Sequence, residues 1–465
     1  MPPVTAFKAY DIRGQLDHDL NDAVAYGLGR AYARRFDPGV VVIGRDTRAS
    51  SPTLAHFLAT GLTAEGVDVI DIGLCGTEEV YHATDHLAAG GGIMVTASHN
   101  PIDYNGFKLV GPGAAPILPE EGFLDLKAMV AAGGYGAARP RRGTRSQLNT
   151  RMVYARHVCE MIDPAALRPM KVLVNAGNGT AGPTFDAVAR TLRDMGAKLD
   201  FVRLHHDPDP AFPNGIPNPL LPENQPATAE AVRKSGADLG IAWDGDFDRC
   251  FLFDETGAFV PGEYIVGLIA SAMLVRAPGA RIVHDPRVQW ATQRIVKAAG
   301  GTPVAAPTGH ALVKAAMRAE GAAYGGEMSA HHYFREFMYC DSGMIPWLMV
   351  IAHLSRSGQT LGQAVAEMRA AHPSSGEINT PHPDPDGTMA RVEASMAMGA
   401  HEVCRLDGLS MAFDTWRFNL RKSNTEPLLR LNVETLGDPE LLERQTAQLL
   451  RLIRPHGGTG SVRAA

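Results

Sequence analysis

The segment with the most reactive side chains runs from Thr96 to Pro101 and contains Ser98 followed directly by His99. The apolar run at 93–95 predicts a strand, so Ser98 lies just past a strand end, where open α/β sheets place ligand-binding residues. Small neighbours leave room for a phosphate beside the hydroxyl, and His99 and Lys108 are available to oppose its charge. Serines in such turns are most often plain turn formers. The segment alone therefore leaves both interpretations open.

Three carboxylates alternate in a second segment, at Asp244, Asp246 and Asp248, with Arg249 after them. Carboxylates this close repel each other unless a hard divalent cation neutralises them, and oxygen ligands of this kind suit Mg²⁺. The other interpretation is a solvated acidic turn, because Asp-Gly pairs are common in turns. Apolar runs on both sides indicate an enclosed loop and favour the metal site.

Two further loops offer groups that bind a phosphorylated sugar. The segment 421–427 supplies a guanidinium, two hydroxyls and an amide, which suit a phosphate dianion, although a plain connecting loop has the same polarity. The segment 325–333 combines Glu327, Ser329 and His331, which suit sugar hydroxyls, although a surface loop is the commoner origin of such residues. Each loop gains weight only beside the other two segments.

Three βαβ patterns position these loops. In each, a β-branched apolar run is followed by a polar turn, a helical pattern, a glycine and a second apolar run, at 40–72, 172–204 and 281–304. Successive βαβ units predict mainly parallel sheets covered by helices.

The C-terminal part of the chain has a different pattern. Residues 416–420 alternate like a strand and 429–433 form a second strand across a polar loop, followed by a helix with Asp438 as its N-cap. The Gly- and Pro-rich stretches 133–142 and 373–385 are interpreted as linkers. This part is therefore predicted to be a separate α+β domain.

Composition sets the class of protein. The chain has 465 residues, of which 45% are hydrophobic and 20% charged, enough for three or four buried cores. A net charge of -6 argues against nucleic acid as a partner. Neither a signal peptide nor a membrane-spanning stretch is evident, and the five scattered cysteines fit a reducing compartment, so a cytoplasmic protein without a membrane partner is expected.

Two histidine pairs, His82 with His86 and His205 with His206, could join a metal site. Neither pair has an evident carboxylate or cysteine partner, so both are interpreted as structural or solvated.

Taken in this order, the four loops resemble the α-D-phosphohexomutase superfamily over nearly the whole chain. Segments 7–14, 96–108, 217–223 and 326–334 are especially similar to its bacterial phosphomannomutases. The resemblance implies three similar mixed α/β domains and a C-terminal helix-sheet domain around a central cleft. The domains are expected at 1–148, 149–253, 254–371 and 372–455, with a flexible tail at 456–465.

The resemblance also implies roles for single residues. Ser98 would rest as phosphoserine, and Asp244, Asp246 and Asp248 would hold Mg²⁺ together with a phosphoryl oxygen on Ser98. Glu327 and Ser329 would read sugar hydroxyls. Arg421, Ser423, Asn424 and Thr425 would clasp the phosphate that does not react. The cleft near the transferring group, where His99 also lies, would be lined by Tyr10, Arg13, Lys108, Arg249, His310 and His331.

One position departs from better-known members of the family: Arg287 stands where bifunctional members have lysine. The enterobacterial-type phosphomannomutases carry arginine there, so the arginine is interpreted as the mark of a subgroup. The planar guanidinium of arginine can make two parallel hydrogen bonds, whereas the ammonium of lysine acts as a point charge. It is expected to contact substrate, and the proton donor and acceptor stay open.

The implied activity is interconversion of mannose 6-phosphate and mannose 1-phosphate through a hexose 1,6-bisphosphate, supplying GDP-mannose and polysaccharide synthesis. The expected partners are small hexose phosphates, and a monomer or weak homodimer is expected. The alternatives are a phosphoglucomutase, a dual-specificity enzyme or a phosphoglucosamine mutase, with Met328 and His331-His332 favouring mannose or glucose. From other classes, a phosphatase with an aspartyl nucleophile and a non-catalytic sugar-phosphate sensor are less favoured, because Ser98 and every ligand position are present.

Overall fold

Four β-sheets in succession organise the chain. The structure, a computed structural model, describes residues 4–423 and 428–454 and the backbone of 463–464. Within these ranges no helix combines the length and the apolar character that crossing a membrane requires.

The first sheet has the strand order β1-β5-β4-β2-β3-β6, with β2, β3, β4 and β6 parallel and β1 and β5 antiparallel to their neighbours. Its strands are β1 (Ile12–Gln15), β2 (Val40–Arg45), β3 (Asp68–Leu74), β4 (Gly92–Val95), β5 (Tyr104–Val110) and β6 (Arg145–Gln147). Its helices are α1 (Asp22–Phe36), α2 (Ser51–Ala64), α3 (Thr77–His86) and α4 (Phe123–Ala132).

The second sheet has the order β11-β10-β9-β7-β8, in which β8, β7 and β9 are parallel. Its strands are β7 (Met170–Asn175), β8 (Leu199–Leu204), β9 (Leu239–Trp243), β10 (Cys250–Phe253) and β11 (Phe259–Val260). Its helices are α5 (Arg151–Cys159), α6 (Ala181–Asp194) and α7 (Pro226–Ser235).

The third sheet has the order β13-β12-β14-β15-β16, in which β13, β12 and β14 are parallel. Its strands are β12 (Arg281–His284), β13 (Thr302–Ala305), β14 (Tyr324–Gly326), β15 (His332–Phe334) and β16 (Cys340–Asp341). Its helices are α8 (Gly262–Arg276), α9 (Trp290–Ala298), α10 (His310–Glu320), α11 (Ile345–Ser357) and α12 (Leu361–Ala371). Short 3₁₀ turns lie at Pro112–Ala114, Pro119–Glu121, Pro164–Ala166, Pro222–Asn224 and Arg335–Phe337.

The fourth sheet is antiparallel, in the order β18-β19-β20-β21-β17-β22. Its strands are β17 (Ile378–Pro381), β18 (Glu402–Cys404), β19 (Leu409–Ala412), β20 (Trp416–Lys422), β21 (Leu428–Thr435) and β22 (Arg463–Ala464). Its helices are α13 (Pro385–Met396) and α14 (Pro439–Ile453), and the Asp438 side chain caps α14 by accepting from Leu441 N. The predicted helix-sheet class of this unit is confirmed.

The three βαβ predictions are confirmed as β2-α2-β3, β7-α6-β8 and β12-α9-β13, each with its strands paired in parallel. The predicted pair of C-terminal strands is confirmed as β20 and β21. The interpretation of 373–385 as a linker without strand is wrong at β17, because Ile378 is buried and pairs with Leu431 of β21. The predicted domain boundaries stay predictions. So does the flexible tail, which lies outside the described residues except for β22.

Each of the first three sheets reverses its strand order between two central parallel strands: β2 and β4, β7 and β9, and β12 and β14. Loops at the carboxyl ends of such strands diverge and leave room for a ligand. The Ser98 loop follows β4, the acidic loop follows β9 and the Glu327 loop follows β14. All three predicted site loops therefore start at the ligand-binding edge of their sheets.

Candidate active site

Ser98 lies in a tight turn after β4 and is 3% exposed. Its backbone has φ 50°, in the left-handed region that non-glycine residues rarely adopt, at a cost of about 1–2 kcal/mol. Its N–H donates to Thr96 Oγ1 at 2.8 Å. Strain of this kind persists where the surroundings hold the backbone in place. In this turn the serine hydroxyl faces the acidic loop.

The Ser98 hydroxyl donates to Asp244 Oδ2 at 2.5 Å. Arg249 Nη2 lies 3.4 Å from the same Oγ and donates to Asp244 Oδ2 at 2.7 Å. His99 Nδ1 is 3.1 Å from Ser98 Oγ and also contacts Arg249. The structure thus brings together Ser98, His99, Asp244 and Arg249, which come from two different sheets.

The acidic loop approaches Ser98 so closely that only glycine fits at position 245. A Cβ there would lie 2.5 Å from the carbonyl oxygen of Ser98. Phe247, two residues further along the same loop, has φ 44° and is fully buried. The hydroxyl and the carboxylates therefore meet without a side chain between the two loops.

Asp244, Asp246 and Asp248 present oxygens within 4.8 Å of one another. Each Oδ2 is held: Asp244 by Arg249, and Asp246 and Asp248 by Lys108 Nζ, which is 2.7 Å from Asp246 Oδ2. Each Oδ1 is buried and has no hydrogen-bond partner among the described residues. Three buried carboxylates at this separation, each with one oxygen that makes no hydrogen bond to the described residues, fit a hard divalent cation. The acidic cluster can therefore bind a metal ion.

Burial and neighbouring charges set the protonation of this cluster. Burial raises the pKa of Asp244 to about 6, whereas the Lys108 ammonium outweighs burial at Asp248 and lowers its pKa to about 2. Lys108 likewise holds the pKa of Asp246 below its usual value against burial. The carboxylates that pair with Lys108 are therefore anions at neutral pH. A divalent cation would favour the anion at Asp244 as well.

Arg13 braces the Ser98 loop, since its Nη1 donates to Ala97 O at 2.9 Å and to Asn100 Oδ1 at 2.7 Å. Tyr10 packs edge-on against the ring of His310, with centroids 4.8 Å apart. Both nitrogens of His310 are buried and have no hydrogen-bond partner in the part of the chain that the structure describes, and burial lowers its pKa to about 3. His310 is therefore a neutral imidazole that packs against Tyr10.

The Glu327 loop reaches the acidic loop through His331, whose Nε2 lies 3.8 Å from Asp248 Oδ1. Ser329 Oγ lies 3.4 Å from His331 Nδ1. Burial holds the pKa of His331 well below its usual value. Glu327 itself accepts from Gly309 N at 3.0 Å and from the Tyr333 hydroxyl at 2.6 Å. His331 thus connects the Glu327 loop of the third unit to the acidic cluster.

The fourth unit meets the third through charged groups. Arg287 Nη2 donates to Asp285 Oδ2 at 2.8 Å and lies 3.8 Å from Glu327 Oε1, while its Nη1 is 3.5 Å from Glu377 Oε2. Arg421 Nη2 donates to the same Glu377 Oε2 at 2.9 Å. Ser423 directly follows β20, and its Oγ lies 3.4 Å from Arg430 Nη2. The predicted phosphate residues Asn424 and Thr425 lie outside the described residues.

Sequence reasoning missed the turn that joins the first three units, Gly76 to Glu79 at the start of α3. Thr77 Oγ1 donates to Asp246 Oδ2 at 2.6 Å. Glu78 accepts from Gly343 N at 2.8 Å, and Glu79 accepts from Thr184 Oγ1 at 2.8 Å. The sequence shows here only a pair of glutamates in the first turn of a helix, which is too common to single out. Sequence reasoning also missed two buried or half-buried ion pairs between distant segments, Arg430 with Glu377 and Lys314 with Asp341.

The two histidine pairs lie away from this site. His82 is buried against Tyr154 and stacks on His86 with ring centroids 5.5 Å apart. His206 Nε2 lies 2.9 Å from Asp186 Oδ2, a partner that the sequence did not reveal.

The buried carboxyl group of Glu78 should make the stability of the folded chain depend on pH. Burial raises its pKa from the usual 4.5 to about 8, although the hydrogen bonds it accepts lower it. Because the folded pKa is above the unfolded one, the folded chain holds an extra proton between pH 4.5 and 8, and stability falls as pH rises through this window, by at most about 1.4 kcal/mol per pH unit. Glu78→Gln, which cannot ionise, should therefore raise the thermal midpoint more at pH 8.5 than at pH 5.5. Scanning calorimetry of wild type and variant measures this.

The matched control for Glu78→Gln is Asp85→Asn on the same helix, where the carboxylate is exposed. That variant should leave the difference between the two pH values unchanged. An equal shift for Glu78→Gln at both pH values would show that Glu78 is ionised in the folded chain.

Models of four domains of one family match the chain in order. They are described as phosphoglucomutase/phosphomannomutase alpha/beta/alpha domain I at 4–124, domain II at 152–257, domain III at 261–371 and C-terminal domain at 377–452. A phosphomannomutase of Salmonella montevideo is 54% identical over 454 residues, covering 97% of this chain and 100% of the relative. A protein of Xanthomonas campestris described as "Phosphohexose mutases" is 53% identical over 449 residues, covering 97% and 99%.

A solved structure is also similar. The crystal structure of a phosphoglucomutase/phosphomannomutase family protein from Burkholderia thailandensis superposes with a TM-score of 0.85 at 31% identity, covering 98% of this chain and 99% of the other.

Proposed function

Since the chain belongs to the phosphoglucomutase/phosphomannomutase family and has phosphomannomutase function, we propose that Ser98 carries the transferring phosphate and that the site cycles through a hexose 1,6-bisphosphate. The single observation that supports this most is the contact of the Ser98 hydroxyl with Asp244 Oδ2 at 2.5 Å, beside three unpaired carboxylate oxygens. An alcohol, a cation site and a guanidinium at one point are the parts that phosphoryl transfer requires.

In the proposed cycle, phosphoserine 98 gives its phosphoryl group to O1 or O6 of a bound hexose monophosphate. The bond between Ser98 Oγ and phosphorus breaks as the bond to the sugar oxygen forms, and the sugar hydroxyl loses its proton to a neighbouring base. The bisphosphate then turns around, and its other phosphoryl group is transferred to Ser98 Oγ. The bond between that phosphorus and the sugar oxygen breaks, the serine hydroxyl gives up its proton, and the sugar oxygen regains one. Two neutral imidazoles, His310 and His331, are the candidate proton acceptors, because burial keeps the pKa of each below its usual value.

The acidic cluster would hold Mg²⁺, with Asp244, Asp246 and Asp248 as the protein ligands. When bound, the cation offsets negative charge on the transferring phosphoryl group. The Arg249 guanidinium would offset the same negative charge, since it lies against both Ser98 and Asp244. Lys108 pairs with Asp246 and Asp248 and is held in place by them. It would therefore position the acidic cluster as well as oppose charge on the transferring group.

Substrate would be held between the third and fourth units. Glu327 and Ser329 would accept and donate hydrogen bonds to sugar hydroxyls, and Arg421 with the loop after it would bind the other phosphate. Tyr10 and Arg287 would contact substrate between these two sets. Mannose 1-phosphate produced in this way would supply GDP-mannose synthesis.

A dual-specificity enzyme is the second candidate, supported by the 53% identity to the Xanthomonas relative described as "Phosphohexose mutases". Phosphorus NMR separates the two: the protein is mixed with Mg²⁺, a trace of hexose 1,6-bisphosphate and equal mannose 1-phosphate and glucose 1-phosphate. Predominant mannose 6-phosphate supports the mannose enzyme, and equal rates support dual specificity. Inorganic phosphate as the only product would contradict both. A phosphatase with an aspartyl nucleophile is disfavoured, because Asp244 Oδ2 already accepts from Ser98 and Arg249.

Thr77 provides a test of the proposed cation site. Thr77→Val keeps the shape of the side chain but removes the donor to Asp246 Oδ2, so Asp246 loses one of the groups that orient it. Loss of a group that positions a metal ligand typically lowers metal affinity about 10–100-fold. We expect the Mg²⁺ concentration for half-maximal activity to rise by about tenfold or more, measured by Mg²⁺ titration of the mutase rate.

Thr77→Ser retains the hydroxyl and should restore the wild-type Mg²⁺ requirement. A Thr77→Val enzyme with unchanged Mg²⁺ dependence would rule out this positioning role.

A further inference from the structure

Glu377 lies immediately before β17 in the fourth unit and is surrounded by three guanidinium groups. Its Oε2 is 2.9 Å from Arg421 Nη2 and 3.5 Å from Arg287 Nη1, and its Oε1 is 3.1 Å from Arg430 Nη1. The Glu377 side chain is only 10% exposed. One carboxylate therefore joins cations from the third unit and from two neighbouring strands of the fourth.

Each of these arginines keeps a buried donor that no carboxylate uses. Asp285 and Glu327 face Arg287, and Asp407 acts on Arg421 from a greater distance. The Nε of each of the three arginines is nevertheless buried and makes no hydrogen bond to any residue that the structure describes. Buried guanidinium donors without a partner indicate that a further anion binds here.

The position of the carboxylate matters for turnover. Arg421 is a predicted phosphate ligand, and a phosphate bound to it would share the guanidinium groups with Glu377. The proposed cycle requires the bisphosphate to release one phosphate from this site and present the other. An anion that binds three guanidinium groups without competition leaves slowly, because most differences in affinity appear in the dissociation rate.

We propose that Glu377 is a built-in counter-anion that weakens phosphate binding by the Arg287, Arg421 and Arg430 cluster, so that the bisphosphate intermediate can turn around. This inference rests on the proposed function and adds to it a residue that sets the affinity of the site for phosphate. Glu377 pairs with the arginines when the site holds no substrate and repels the phosphate when substrate is bound. It acts through the arginines and is a positioning residue.

Arg287 and Arg430 have supports other than Glu377, and Arg421 is held by its place in β20. Asp285 Oδ2 holds Arg287 at 2.8 Å, and Ser423 Oγ lies 3.4 Å from Arg430 Nη2. Arg417 of β20 further fixes the backbone of the Arg287 loop by donating to Arg287 O at 3.0 Å and to Pro286 O at 2.9 Å. Removing the charge of Glu377 should therefore leave the cluster assembled, with its attraction for phosphate increased.

The test is isothermal titration of the full-length protein with inorganic phosphate and, separately, with mannose 6-phosphate. Glu377→Gln should lower Kd for both about tenfold. In steady-state assays its KM should fall and its kcat should also fall, because release for the turnaround becomes slower. Glu377→Asp retains the charge but moves it away from the guanidinium groups, so its affinity should lie between those of wild type and Glu377→Gln.

Glu402→Gln, an exposed carboxylate of the same sheet, is the matched control and should change neither constant. Equal or weaker phosphate binding by Glu377→Gln and Glu377→Asp would overturn the inference, because a merely structural glutamate would lower affinity when replaced. The titration with inorganic phosphate requires no turnover. A wild type without mutase activity would contradict the proposed function separately, whereas an active wild type with unchanged binding in the variants would contradict only the role of Glu377.

Discussion

Ser98→Ala is expected to abolish sustained mutase turnover, with a loss of more than about 10⁴-fold in kcat. The variant removes the only oxygen in the site that the proposed cycle phosphorylates. It also leaves the sugar and phosphate contacts of the third and fourth units in place, because Ser98 touches Asp244, His99 and Arg249 and none of those contacts. A coupled assay for mannose 6-phosphate formation measures the rate, and titration calorimetry with mannose 6-phosphate measures binding.

Binding of mannose 6-phosphate by Ser98→Ala should stay within about threefold of wild type, since the lost hydroxyl contributes no substrate-orienting hydrogen bond. Ser146→Ala on the exposed strand β6 is the matched control and should keep full activity. Wild-type turnover by Ser98→Ala would exclude the phosphoserine mechanism, whatever the variant's affinity for substrate.

Asp246→Asn should have the second-largest effect. Asp246 would supply its unpaired oxygen to the proposed cation site, and its other oxygen binds Lys108 and Thr77. An amide has nearly the same shape and volume as the carboxylate, but it carries no negative charge. We therefore expect Mg²⁺ affinity and kcat/KM to fall by at least about 100-fold. Binding of Mn²⁺ followed by electron paramagnetic resonance gives the affinity directly, independently of turnover.

Asp200→Asn, with an exposed carboxylate on β8 of the same sheet, controls for a general change of charge and should bind Mn²⁺ as wild type does. Unaltered Mn²⁺ binding by Asp246→Asn would show that the ion sits elsewhere. A chelator should likewise stop wild-type turnover, and added Mg²⁺ should restore it.

Local sequence patterns predicted the elements that carry the site. The Ser98 loop was placed past a strand because three β-branched or apolar residues precede it, and β4 ends at Val95. The apolar run that precedes the acidic loop, at 239–243, likewise corresponds to a strand, β9. Both predictions rest on contacts between residues close in the chain, and the side-chain period of a strand or helix reports such contacts.

Contacts between distant segments could not be predicted in this way. Thr77 is 169 residues from Asp246, to which its hydroxyl donates a hydrogen bond, and no spacing in the sequence connects the two. Glu377 lay in a stretch that its prolines and glycines indicated to be a linker, yet β17 begins at the next residue because Ile378 is buried in the fourth sheet. Tertiary burial overrode the turn-forming composition at this point.

Arg287 shows how the structure extends what the sequence suggested. Its guanidinium was expected to act as a bidentate fork in place of a lysine. In the structure it contacts Asp285 through Nη2 and Glu377 through Nη1, so the two arms of the fork connect the third unit to the fourth. A single ammonium makes such a divided contact less readily, because it lacks the fixed planar geometry.

The most direct test of the account is a single-turnover experiment on enzyme phosphorylated with ³²P at Ser98. Purified labelled enzyme is mixed with unlabelled mannose 6-phosphate and Mg²⁺, quenched at millisecond intervals, and separated into protein, bisphosphate, monophosphate and inorganic phosphate. The account predicts that label leaves Ser98 at least as fast as kcat and appears first in mannose 1,6-bisphosphate and then in the monophosphates. Label that stays on the protein during turnover, or that passes only to inorganic phosphate, would contradict it.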